Sequence, residues 1–318
     1  MGIISDTALL RLEPDYTKPV GRVYAEATAA MLRLHPHHQK LEMCSFPKDI
    51  ADLPSWVPDW SRIGRIGIRP PLSWINEFVA SGSTKLEAAD VVVLENLALR
   101  RRGFHCDVVE SVFIAGEVVE GPSLEDLEMS LSSAMASGKT RAGLLAAILD
   151  FARCLPPSAS CDKLETRVWR TLVIDLYRDP DNDDWYETMS RMMVCGESLE
   201  INNSLSEKDL AFIFQRASAT KREQPQDVAD RFFSDAWKHA VRIAKGRTLF
   251  STKSGRLGLG SYCVQAGDVA TILDGTGVPI LLRPAGSMYN YVGDAYIEGV
   301  MYGELMELEQ SEQDFDIL

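Results

Sequence analysis

Two blocks of strand-like sequence, held apart by a long helical tract, restrict the fold more than any other feature of this chain. The first block, 86–118, reads VVVLENLALR and GFHCDVVESVFIAGEVV, β-branched residues broken by single charges. The second, 247–304, runs RTLFST, RLGLG, DVATIL, VPILLRP and YNYVGDAYIEGVM, with glycine-containing turns at the spacing of a meander or barrel. Between them, segments around 123–136, 140–154, 161–178, 184–194, 206–219 and 226–245 carry apolar residues three and four apart, the helical period. A few short strands cannot cover their own apolar face, so distant blocks must share one layer. The expected fold class is α+β: an antiparallel sheet or small barrel built from both blocks, with the helical insertion packed on it. The expected organisation is a single domain, 1–318. It comprises an N-terminal helix and Trp/Pro clasp (1–85), the strand block 86–118, the insertion 123–245, the strand block 247–304 and a frayed acidic tail (305–318).

Charge and cysteine usage exclude several classes. A net charge of −13 leaves no basic surface for counterion release, which argues against nucleic acid, and it argues equally against an anionic membrane. The longest apolar run, AGLLAAILDFA (142–152), is broken by Asp150 and falls short of the ~20 residues of a membrane span. The start MGIISDTALL has no basic n-region, so no signal peptide is expected. Cysteines 44, 106, 154, 161, 195 and 263 show no C-x-x-C spacing, which suits buried thiols in a reducing compartment. A cytoplasmic globular protein is expected.

Near the N-terminus, VGRVYAEATAAMLRL (20–34) predicts a helix with Val20, Val23, Tyr24, Ala27, Met31 and Leu34 on its apolar face. The tract 35–73 follows as an extended connection. Within it LPSWVPDWS (53–61) uses Pro54 and Pro58 to hold the backbone extended while Trp56 and Trp60 bury large areas.

Motifs that would announce a cofactor fail on inspection. SGKT (137–140) lacks the glycine of a phosphate loop, with Ser133 in its place. GRLGLG (255–260) leads into a strand and reads as a hairpin. RDPDNDDWYE (178–187) has Asp184 where a calcium loop needs glycine; its acids suit a helix N-terminus better than the metal reading of Asp183, Asp184 and Glu187. HPHH (35–38) with Cys44 has no zinc spacing. His105 and Cys106, consecutive on a strand, point to opposite faces. No metal and no cofactor are expected.

Three stretches, GIISDTALLRLEPDYTKPVGRVYAEATAAML (2–32), LPSWVPDWS (53–61) and the run from Gly246 to Glu304, resemble fungal heterokaryon-incompatibility (HET) domain proteins. More narrowly, they are similar to the region that follows the HET domain, with residues 2–5 resembling the end of that domain. The resemblance implies a fold in which the clasp lies against the sheet. It brings no established chemistry. Two functions are then open. One is a cofactor-independent cyclase of fungal secondary metabolism, a pericyclase of Diels–Alderase type folding a small apolar polyene or polycyclic terpenoid or polyketide between aromatic walls. The other is a non-catalytic interaction or regulatory module of incompatibility signalling. For the first, Trp56, Trp60, Tyr289 and Tyr296 are candidate substrate walls, and Arg283 and Tyr291 are candidate catalytic donors to a carbonyl. The bland alternatives are core plugs for the indoles and a salt bridge from Arg283 to Asp59 or Glu298.

Overall fold

The β-branched tract after Ala88 folds as a short strand, β1 (Val92–Val93), and a long one, β2 (Leu99–Val112), in a computed structural model of the protein. The second block supplies β3 (Arg247–Thr252), β4 (Leu257–Ser261), β5 (Val269–Leu273), β6 (Ile280–Ala285) and β7 (Met288–Ile297), and β8 (Gln313–Ile317) follows. Helices are α1 (Val20–Leu34), α2 (Arg141–Arg153), α3 (Leu164–Leu172), α4 (Asp184–Val194), α5 (Glu207–Arg216) and α6 (Pro225–Ala244). The structure describes residues 15, 17–34, 40–44, 46, 48–61, 71–113, 141–156, 162–178, 184–194, 205–217, 220, 223–306 and 311–318. The histidine run 35–38, the SGKT loop, Asp183, Cys161 and Cys195 lie outside these residues. The described chain divides into two compact units, drawn from 1–110 with 263–318 and from 111–262.

In the first unit the two strand blocks share one antiparallel sheet, as the α+β reading requires. β2 pairs with β5 from Gly103 to Val108, β5 with β6, and β6 with β7. β8 pairs with β2 from Leu99 to Gly103 and meets β7 in parallel at Tyr289, which closes a ring. Gly103 stands where β2 passes from β8 to β5, and a Cβ there would overlap the Ile272 carbonyl. No other residue permits that approach. β5 is buried at every position, which explains why its sequence, VATIL, carries no charge and why its one polar side chain, Thr271, donates to the Ile280 carbonyl at 2.9 Å.

Two expectations need correction in this unit. Helix α1 buries Ala25, Thr28, Ala29, Ala30 and Leu32, whereas Val20 and Val23 are 52% and 38% exposed. Small side chains let the helix backbone approach closely, and close packing outweighs side-chain hydrophobicity here. The acidic tail is not frayed over 313–317. Phe315 and Ile317 alternate inward on β8, and Arg100 of β2 takes up Asp316 through paired bonds of 2.7 and 2.8 Å.

The second unit holds the β3–β4 hairpin and helices α2 to α6. Helix α3 packs on β4 and α6 on β3. Helix α6 starts with Pro225 in its first turn and buries Val228, Ala229, Phe233, Ala236, Trp237, Ala240, Ile243 and Ala244, one stripe at helical spacing. Helix α5 begins with a capping box: Ser206 accepts from the Asp209 amide and Asp209 accepts from the Ser206 amide. Trp169 of α3 meets Trp185 and Phe233 edge-on at 6.2 and 5.8 Å. No helix among the described residues is long and apolar enough to cross a membrane.

Candidate functional site

The clasp is irregular backbone, so its carbonyls need donors from outside any helix or strand. Lys48 supplies them: its ammonium donates to the carbonyls of Pro54, Ser55 and Val57 at 2.5, 2.8 and 2.7 Å. Three protons meet three acceptors. Burial pulls the Lys48 pKa down to about 8, so the group is still charged at neutral pH. The Cys44 thiol donates to the Trp56 carbonyl at 3.0 Å, and burial pushes that thiol up to about 12. At the far end of the clasp, Asp59 accepts from the Asp49 amide and from the Ser61 amide and hydroxyl. It is a turn cap.

Ser55 does something different. Its amide donates to the Leu318 carbonyl at 2.6 Å, and its hydroxyl donates to the same oxygen. The Tyr291 amide donates back to the Ser55 oxygen at 2.7 Å, and the Leu318 amide donates to the Tyr289 carbonyl at 2.7 Å. One serine therefore ties clasp, β7 and the end of β8 together. Arg100 and Arg102 extend the same seat along β2, reaching Asp316, Asp314 and Glu312 at 2.7, 3.9 and 3.7 Å. Arg100 holds the Asp316 carboxyl below its ordinary range.

The residues singled out from the sequence do gather around the clasp and β7, in varied roles. Trp56 is fully buried, with its indole N–H donating to the Leu97 carbonyl at 2.9 Å. Trp60 is half-buried and reaches Thr28 of α1 at 3.4 Å. Tyr291 and Tyr296 are 1% and 0% exposed, and Tyr296 packs against Phe78 with ring centroids 6.2 Å apart. Tyr289 is half-buried against Phe315 at 5.5 Å. Arg283 forms a two-bond ion pair with Asp268, at 2.8 and 2.9 Å, and donates to the Cys263 carbonyl at 2.6 Å. Its partner is Asp268, not Asp59 or Glu298. The fork that was to meet a substrate carbonyl is already engaged.

A second cluster, in the helical unit, is not legible in the sequence. After α3 the chain passes through Ile174 and Asp175 at φ 46° and 53°, a left-handed pair that costs of order 1–3 kcal/mol per residue. The turn brings Asp175 to Arg170 at 2.9 Å, and Arg170 lies over the Tyr186 ring at 4.5 Å. Tyr177 stacks on Trp185 at 4.0 Å and its hydroxyl bonds His239 Nδ1. Burial lowers the His239 pKa from its ordinary value. Asp184 and Glu187, the acids of the rejected metal motif, pair with Lys208 and Arg191. Among the described residues no group of three or more His, Cys, Asp or Glu is placed to hold a metal ion. Nothing in the local sequence marks Ile174 for positive φ, since glycine or asparagine is the usual signal.

Comparison with known proteins gives two matches. Residues 177–317 match the family model of the Het-6 β-barrel domain. Along 98% of its length the chain is 22% identical to heterokaryon incompatibility protein 6, OR allele, of Neurospora crassa, and covers 48% of that protein. The chain thus spans about half the length of this curated relative. No solved structure matches it. Both matches bear out the resemblance to heterokaryon-incompatibility proteins read from the sequence. They overturn the expectation of a Diels–Alderase in secondary metabolism, because both point to heterokaryon incompatibility and neither to cyclase chemistry. The engaged Arg283 is in keeping with that correction.

Proposed function

We infer that this HET-related chain is a non-catalytic interaction or regulatory module of heterokaryon-incompatibility signalling, working in the cytoplasm of a fungal cell. The observation that carries the reading is the similarity running over 98% of the chain to a heterokaryon incompatibility protein. The geometry supports it. The polar groups of the clasp are engaged in holding backbone and a terminal strand, which is what a binding scaffold requires. The half-exposed arginine and carboxylate side chains of β2 and β8 offer charge for partner selection. The test is genetic. The gene is deleted in a fungal strain, which is then fused with a panel of tester strains, and survival of the fused cells is scored. Incompatibility should be lost or altered with at least one tester, and wild-type survival with every tester would remove the reading.

A further inference from the structure

Strand β8 is bound as a peptide ligand would be. It adds to β2 with a full antiparallel register from Leu99↔Ile317 to Gly103↔Gln313, and two side chains, Phe315 and Ile317, fill the interior. Leu318 is then caught by Ser55 and by the Tyr289 carbonyl. Main-chain bonds and alternate sockets are the elements of strand recognition, and here both, together with the backbone bonds at Leu318, come from residues outside β8. We propose that this seat is exchangeable, and that its second occupant is the same strand from another copy of the chain, which gives a strand-swapped dimer. The use assigned to the exchange, self-recognition, rests on the interaction-module reading above; the geometry does not.

Several features favour a second copy as the occupant. An identical strand satisfies the register, the sockets and the catch by construction, so a swapped dimer needs no new interface chemistry. The charges select it: Arg100 faces Asp316 at 2.7 Å and lies 3.9 Å from Asp314, while Arg102, bonded to Asp274 at 3.3 Å, lies 3.7 Å from Glu312, so the seat favours carboxylates at alternate positions, and the sequence SEQDFDIL (311–318) supplies them. The body of the fold ends with Val300, Met301 and Leu305, which are buried. Without β8, Leu99–Gly103 would present an unpaired edge of the kind that templates strand addition.

The experiment uses two charge reversals in the full chain. Arg100→Asp places an acid opposite Asp316, and Asp316→Lys places a base opposite Arg100, so each variant repels its own strand. When the two are mixed, swapping matches both seats at once. The lysine introduced at position 316 of one copy meets the aspartate introduced at position 100 of the other, and the unaltered Arg100 and Asp316 meet as in the parent. Native mass spectrometry should show each variant alone as a monomer and the equimolar mixture as a one-to-one heterodimer that dissociates in high salt. Monomers persisting in the mixture, with both variants keeping the parent circular dichroism, would overturn the proposal. If either variant fails to fold, a fluorescent SEQDFDIL peptide is titrated onto the parent chain beside SEQKFKIL. Saturable binding of the first alone supports exchange, and no binding up to about 1 mM, the scale of a tethered strand's own effective concentration, overturns it. A negative result here leaves the cell-fusion test untouched, and a negative there leaves the dimer standing.

Discussion

Lys48 is the residue on which the clasp depends, and it shows how a charged side chain can organise irregular backbone. Of its three carbonyl acceptors, that of Pro54 also accepts from the Val57 amide at 3.0 Å, so removing the lysine takes a donor from all three and weighs most on the carbonyls of Ser55 and Val57. Lys48→Met should lower stability by about 2–4 kcal/mol, because unsatisfied buried acceptors cost more than a made bond returns. Lys48→Arg, which restores donors in another shape, should recover part of it; urea denaturation of the three proteins decides. Trp56→Ala should cost about 3–5 kcal/mol as a fully buried indole, and the half-buried Trp60 clearly less. The thiols give an independent check. Cys44 is buried with its pKa raised to about 12, so it should resist alkylation in the folded protein, while exposed Cys154 should label at once. Peptide mapping after iodoacetamide treatment reads both, and early labelling of Cys44 would contradict the clasp geometry.

At the scale of elements, what is legible depends on whether a pattern is written within one segment. The strand blocks and the helices after 140 announce themselves by period, because burial on one face imposes that period locally. Helix α1 is legible as a helix, but its inward face is not: Ala25 and Ala29 face inward because they are small, and smallness becomes a signal only once the neighbour is known. Strand β8 escapes a sequence reading although Asp314, Phe315, Asp316 and Ile317 alternate, because a run of carboxylates near a terminus also describes a frayed tail; the arginines that settle the matter lie more than 200 residues earlier. In the site, the tryptophans and tyrosines stand out by type, whereas Ser55 and Lys48 bond backbone atoms of other residues, and such partners leave no sequence mark. The β8 pairing has a pH signature. Asp316 is held below its unfolded pKa, so its contribution is complete above about pH 4 and is lost as pH falls through the lower, folded value. Hydrogen exchange should therefore find β8 amides protected at pH 5 to 7 and opened several-fold faster near pH 3, ahead of β5. Equal opening of β8 and β5 would show that the terminal strand is not a separable element.

On the scale of the whole molecule, net charge decides how freely two copies meet. At −13 and with a sequence pI of about 4.9, copies repel one another at neutral pH over a range of about 10 Å in 0.1 M salt. As pH falls toward 5 that repulsion vanishes while Asp316 is still ionised, since Arg100 keeps it below the ordinary range. Below about pH 4 the strand loses its charge pair in turn. Two opposing titrations, one global and one local, thus predict that strand exchange is greatest near pH 5 and declines on both sides. Light scattering of the full chain from pH 3 to 8 at constant ionic strength should trace that maximum. Simple precipitation near the isoelectric point would give a similar rise, so Asp316→Asn is the control. It removes the local charge pair and shifts the net charge by one, and should depress association near pH 5. If the asparagine variant follows the parent curve throughout, association is colloidal and the seat on β2 plays no part in it.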